Sequence, residues 1–111
     1  RAYGAPVKVI LETCLLADEE KVMGCRIAEQ EGAQFVKTST QTQPGGATVE
    51  DVRLLRATLS PEVIVKASGY IMDIDRLLEL YEAGARRFGT GYTVQILDGL
   101  AARRQALGLE P

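Results

Sequence analysis

The sequence predicts an α/β protein built from four strand-then-helix units, equivalent to half of a (β/α)8 barrel. Three observations carry that expectation. Short apolar runs alternate with amphipathic stretches along all 111 residues, the pattern of a parallel sheet with right-handed crossovers. The first three runs begin at Val7, Phe35 and Val63, spaced by 28 residues each, a period that suits a barrel unit. The third is that one face of the predicted strands carries lysine, whereas an open sheet covered on both sides needs both faces apolar.

The elements follow in order. Val7–Glu12 is the first expected strand, and Asp18 is placed to cap a helix that runs through Val22, Cys25, Ile27 and Ala28 to Gly32. Phe35–Thr40 is the second strand, followed by a loop from Gln41 to Ala47 rich in glutamine, proline and glycine. Thr48 opens the next helix, with Asp51 three residues on as a variant capping box and an apolar set of Val49, Val52, Leu54, Leu55 and Leu59. Val63–Gly69 is the third strand, and the helix from Asp73 to Ala83 stops at Gly84. Arg87–Thr90 is a short fourth strand, Thr93–Gln105 the last helix, and Gly108–Pro111 a tail. Gly32-Ala33-x-Phe35 recurs loosely as Gly84-Ala85-x-x-Phe88.

Strand side chains alternate between faces. Val7, Val9, Leu11, Val36, Thr38, Val63, Val65 and Ala67 form a surface suited to helices. The opposite face carries Lys8, Ile10, Glu12, Phe35, Lys37, Ser39, Ile64, Lys66 and Ser68. Such a half-polar face fits a barrel interior with an active site at its mouth. Four units cannot close, because a barrel of this type needs eight strands. Residues 1–111 are therefore expected to be one (βα)4 domain, completed by a second copy as a homodimer, by a complementary half-barrel chain, or by the rest of a longer protein of which it is one part.

Composition narrows the chemistry. With a net charge of −2 and no long basic run, nucleic acid and membrane are poor partners. No apolar run has the ~20 residues of a membrane span, and Arg1–Pro6 does not read as a signal peptide. Cys14 and Cys25 are read as small buried hydrophobes in a reducing compartment, so the cytoplasm is expected. There is no histidine, which removes Ser-His and Cys-His nucleophile pairs and histidine-based metal sites. No metal and no cofactor is expected.

Lys37 and Lys66 lie in matching Val-Lys-x-Ser contexts. Lysine attacks a carbonyl as the free amine, so its pKa must fall from about 10.4 toward 7–8. A poorly hydrated site and a neighbouring positive charge both act in that direction. Adjacent strands lie about 4.8 Å apart, close enough for repulsion between two ammonium groups to supply such a shift. The alternative is that each lysine pairs with Glu12 or another interior carboxylate, and for Lys8 that alternative is the stronger.

The residues also carry a resemblance. Lys8-Val9-Ile10-Leu11-Glu12-Thr13, Phe35-Val36-Lys37-Thr38-Ser39-Thr40, Gly45-Gly46-Ala47-Thr48, Val65-Lys66-Ala67-Ser68-Gly69 and Gly89-Thr90 together resemble the deoxyribose-phosphate aldolase family, from Val7 to about Gly99. The matching part is the C-terminal half of that family's barrel, strands five to eight. The resemblance implies metal-independent class I aldol chemistry, the reversible cleavage of 2-deoxyribose 5-phosphate to acetaldehyde and glyceraldehyde 3-phosphate. It implies that Lys37 is the Schiff-base lysine, that Lys66 is the second lysine that lowers its pKa, and that Lys8 supports the site. The family's proton-relay aspartate lies on an earlier strand, in the half that is not here; Glu12 is the candidate substitute.

Departures from the family cluster at its phosphate-binding rim. Gln41 stands where glycine is usual after Lys-Thr-Ser-Thr. Gly69-Tyr70-Ile71-Met72 replaces a second glycine and an arginine, and Gly89-Thr90-Gly91-Tyr92 replaces a serine pair. Phosphate sites use small residues, hydroxyls and backbone amides. The expected pocket is therefore Lys8, Glu12, Ser39, Ser68, Gly69, Tyr70, Met72, Gly89, Thr90 and Tyr92 around the two lysines. It reads as remodelled by engineering or specialisation, with weakened phosphate binding, for a small aldehyde or sugar substrate. Tyr70 or Tyr92 is a candidate proton donor to an aldol alkoxide. Two other readings stand beside the enzyme: a half-barrel fragment or designed assembly scaffold without efficient catalysis, and a binding module for a non-phosphorylated ligand.

Overall fold

A computed structural model describes residues 4–40 and 42–109. Four parallel strands form one sheet in the order β1 (Lys8–Ile10), β2 (Phe35–Lys37), β3 (Ile64–Ser68), β4 (Arg87–Gly89). Helices α1 (Asp18–Gln30), α2 (Val49–Thr58), α3 (Ile74–Ala83) and α4 (Thr93–Ala106) alternate with them. This is the expected half-barrel. The radius of gyration is 15.0 Å, against about 13 Å for a compact domain of this length, as an unclosed crescent requires.

Every expected element is present, but the strands are shorter. β1 stops before Glu12 because Glu12 turns into the left-handed region at φ 57 and begins a short 3-10 turn, Thr13–Leu15, which the sequence pattern did not announce. β2 stops at Lys37, although the ladder continues through Thr38 N–H donating to the Lys66 carbonyl at 3.0 Å. Gln41 and the end of the tail lie outside the described residues.

The helix caps show which polar side chains the backbone recruits. Asp18 is the first residue of α1 rather than its cap; Ala17 precedes it, and the Glu20 carboxylate accepts the Ala17 N–H at 2.8 Å. Thr48 caps α2 as expected, its hydroxyl accepting from Asp51 N–H at 3.0 Å. The reciprocal half of that capping box does not form, since the Asp51 carboxylate is taken by Lys21 at 2.6 Å. Asp73 caps α3 by accepting the Arg76 N–H at 2.8 Å. α1 and α3 end alike: Ala33 N–H returns to the Ala28 carbonyl and Ala85 N–H to the Leu80 carbonyl, around Gly32 at φ 88 and Gly84 at φ 125. These are Schellman closures, and they explain the repeated Gly-Ala.

The core lies between the sheet and the helices. Val36, Val65 and Ala67 point from the strands and are fully buried, against Val52 and Leu55 of α2 and Leu80 of α3. Thr38 shares that buried side; its hydroxyl donates to the Ser68 carbonyl and accepts from Ser68 N–H, both at 3.1 Å. Cys25 is buried in the same core, where burial pushes its thiol up to about 11, whereas Cys14 is exposed, contrary to expectation; both are free thiols. Cys14 misses the core because it sits on the unannounced turn. Among the described residues no helix is long and apolar enough to cross a membrane.

Candidate active site

The lysines stand on the sheet face away from the helices. Parallel register aligns Ile10 with Lys37, Lys37 with Lys66, and Lys66 with Arg87, so three cations occupy adjacent strands in one row. Lys66 also lines one cavity together with Lys8. Burial, the Lys8 amine, and the charges of Lys37 and Arg87 together lower the Lys66 pKa from its ordinary 10.5. Every one of these acts in the same direction, because each disfavours the protonated form. Among the described residues no ion pair holds Lys8, Lys37 or Lys66. The carboxylate-paired alternative has no partner for these lysines among the described residues.

Glu12 does not reach them. Its carboxylate accepts the Thr40 N–H at 3.1 Å and the Thr40 hydroxyl, beyond the end of β2. It sits at the C-terminal rim, spent on a loop.

That rim is held by close backbone contact. Ala47 N–H donates to the Gly69 carbonyl at 3.2 Å, and a Cβ on Gly46 would lie 2.3 Å from the same carbonyl oxygen. Only glycine at position 46 permits that approach. Gly69 has φ 96, a conformation glycine adopts freely. Tyr70 follows at φ 58, half-exposed, its ring beside Gly46 and its hydroxyl donating to the Gln43 carbonyl at 3.3 Å. Arg76 of α3 donates to the Ala47 carbonyl at 2.8 Å. The loop after β2 is therefore strapped to the loop after β3.

The other predicted pocket residues divide. Ser39 and Ser68 are buried rather than lining an open mouth. Ser39 is fully enclosed with an unpartnered hydroxyl, and the Ser68 hydroxyl lies 2.8 Å from where a Cβ on Gly89 would stand. Thr90 donates to the Ile71 carbonyl at 2.6 Å and accepts the Tyr92 N–H at 2.9 Å, a local turn leading into α4. Met72 and Tyr92 are exposed at the same end.

The cavity on the lysine face lies lower, toward the strand N-termini. It measures about 210 Å³ and is lined by Pro6, Lys8, Phe35, Lys66 and Arg87. Of the twelve predicted site residues it gathers Lys8 and Lys66. Sequence reasoning missed Arg87, whose guanidinium lies 4.8 Å from the centroid of the Phe35 ring. Alternation back from Gly89 along β4 was the signal that would have found it.

No family model matches the chain. Among curated proteins, the deoxyribose-phosphate aldolase of Thermococcus kodakarensis is 56% identical over 96 residues, which is 86% of this chain and 43% of the relative. That of Streptococcus sanguinis is 56% identical over 98 residues, 88% of this chain and 44% of its own. This chain is a half-length homologue of the deoxyribose-phosphate aldolases. It spans about half the length of the curated relatives it matches, and the solved structures agree. One described as an aldolase superposes with a TM-score of 0.85 at 40% identity, over 90% of this chain and 45% of that one. The tetrameric deoxyribose-phosphate aldolase of Aeropyrum pernix superposes at 0.82 with 34% identity, over 92% and 44%. In this half-barrel the lysine row gathers the cations, whereas Ser39 and Ser68 are buried and Thr90 is engaged in a turn.

Proposed function

We propose that this chain is the lysine-bearing half of a class I aldolase of the deoxyribose-phosphate type, with Lys37 as the nucleophile. The observation that carries the proposal is the register pair of Lys37 and Lys66, with Lys66 holding its proton less firmly than an ordinary lysine. Lys66, which gives up its proton more readily than an ordinary lysine, is placed beside Lys37 to take the proton that Lys37 must lose. The free Lys37 amine then adds to an aldehyde carbonyl, and loss of water gives the iminium. The iminium withdraws electrons from the neighbouring carbon, so that a C–C bond there forms or breaks. Lys37 suits the attacking role because it stands nearer the strand C-termini than Arg87 and Phe35, at the end where barrel enzymes do chemistry.

Substrate range follows from the rim. Tyr70 and its hydrogen bond to Gln43 fill space beside Gly46 and Gly69 with an aromatic ring. Such a site favours acetaldehyde-like donors and unphosphorylated acceptors over sugar phosphates. The test is borohydride reduction in the presence of acetaldehyde, with the modified peptide located by mass spectrometry. A two-carbon adduct on Lys37 is expected; no adduct, or adducts confined to surface lysines, overturns the reading.

A second reading has its own observation. Among the described residues no carboxylate pairs with the lysines, and Glu12 is held by Thr40. On that reading the chain supplies the amines and becomes an efficient catalyst only once a partner half provides the acid. The first step, Schiff-base formation, then survives in the chain alone while turnover does not, and steady-state assays beside the trapping experiment separate the two.

A further inference from the structure

The backbone ladder between β2 and β3 changes its wiring one residue beyond the lysine pair. Thr38 N–H donates to the Lys66 carbonyl at 3.0 Å. In a regular parallel ladder the Thr38 carbonyl would then accept the Ser68 N–H. Instead that carbonyl accepts the Thr13 N–H at 2.9 Å, on the β1 side of β2. The Ser68 N–H goes to the Thr38 hydroxyl at 3.1 Å, and the same hydroxyl donates to the Ser68 carbonyl at 3.1 Å.

The cause lies in the segment that follows β1. Leu11 N–H donates to the Lys37 carbonyl and Thr13 N–H to the Thr38 carbonyl, so an advance of two residues there matches one residue on β2. Glu12, at φ 57, is the extra residue of a bulge, a device common beside active sites. The bulge draws the Thr38 carbonyl toward β1 and takes from the buried Ser68 N–H its ladder acceptor. Thr38 is fully buried on the side of the sheet that carries Val36, Val65 and Ala67. An apolar side chain suits that side, yet the hydroxyl there both accepts from and donates to Ser68. Farther along, the strands part: Glu12 accepts the Thr40 N–H at 3.1 Å, and the Gly69 carbonyl accepts the Ala47 N–H at 3.2 Å. Lys37 and Lys66 are thus the last register pair before β2 and β3 diverge.

We propose, resting on the Lys37–Lys66 reading above, that Thr38 is a positioning residue whose hydroxyl replaces the ladder carbonyl diverted by the Glu12 bulge and so holds the two lysines side by side. Enclosed on the helix side, it acts through Lys66 rather than on substrate. Lys66 stands in register with Lys37 of β2 and Arg87 of β4 and shares a cavity with Lys8 of β1. Burial and those neighbouring charges hold its pKa below 10.5. Without the hydroxyl the divergence moves back to the lysines themselves. Lys66 then gains water and loses the repulsion of Lys37, and both changes favour its protonated form.

The test is an NMR titration of the Cε signals of isotope-labelled lysines in the full chain, with Lys66 assigned from K66M. T38V keeps the side-chain shape and removes the hydroxyl, whereas T38S keeps the hydroxyl. The Lys66 midpoint is expected to rise in T38V and to stay at the native value in T38S. A T38V chain that is folded by circular dichroism and keeps the native midpoint overturns the proposal. So does a T38S chain whose midpoint rises as far as that of T38V. Should T38V not fold, T38C takes its place, since a thiol is a weak hydrogen-bonding group of similar size; the same rise is expected, and an unchanged midpoint overturns the proposal. A role confined to stability would lower the denaturation midpoint without moving the titration. The readout is Lys66, so a failure here leaves Lys37 trapping untouched, and a failed trap leaves the titration untouched.

Discussion

Lys66 is surrounded by like charge, and its titration carries a signed consequence for the folded state. Its pKa is lower in the folded chain than the 10.5 of a free lysine, so between those two values the unfolded chain binds the additional proton. Stability therefore rises with pH through the window that ends near 10.5. Replacing Lys66 with methionine is expected to raise stability at neutral pH and to flatten that slope, measured by urea denaturation at a series of pH values. An unchanged slope would mean that Lys66 keeps its proton in the folded chain. Tyr70 poses a different question at the same scale. A non-glycine residue in the left-handed region costs roughly 1–2 kcal/mol, and the hydroxyl bond to Gln43 returns about 1 kcal/mol. Tyr70→Gly is thus expected to change stability by less than ~1 kcal/mol while opening the rim, read as tighter binding of a phosphorylated aldehyde in calorimetry.

At the scale of elements, the helices are tied together by one buried ion pair. Lys21 of α1 and Asp51 of α2 meet at 2.6 Å with both side chains nearly inaccessible. Burial pulls the Lys21 pKa down, but its bonds to Asp51 and Asp18 outweigh that, so its pKa is raised. The pair's stabilisation is complete below 10.5 and is lost as pH rises through the raised value. Lys21→Met strands the Asp51 charge and should cost about 3 kcal/mol, whereas K21M/D51L should cost far less; denaturation of the two variants checks it. The loops obey sterics instead. Gly46→Ala places a methyl on the Gly69 carbonyl oxygen, and the two strapped loops must separate, for a cost of about 1–3 kcal/mol. Thr48 was legible as a cap because capping is local. The destination of the Asp51 carboxylate was not, because Lys21 is thirty residues away.

The whole molecule is a crescent with two sheet edges. β2 and β3 are paired on both sides, whereas β1 and β4 are paired on one. Amide hydrogen exchange should therefore be slowest in Val36 and Val65 and faster in β1 and β4. Uniform protection across all four strands would mean that the edges are covered in solution.

Hydrophobic periodicity and the Gly-Ala repeat were enough to specify four βα units and a helix-facing core, because strand alternation and helix capping depend on neighbours a few residues apart. The pairing of Lys37 with Lys66 was legible for the same reason, through two matching local motifs. Three things depended on tertiary structure. Glu12 was removed from the lysine face by a left-handed turn; Arg87 joined the lysines through register with β3; and Ser39 was fully buried. Each is decided by how separate strands and loops lie against one another. The amines are written in the chain, and their electrostatic surroundings exist only once the strands are side by side.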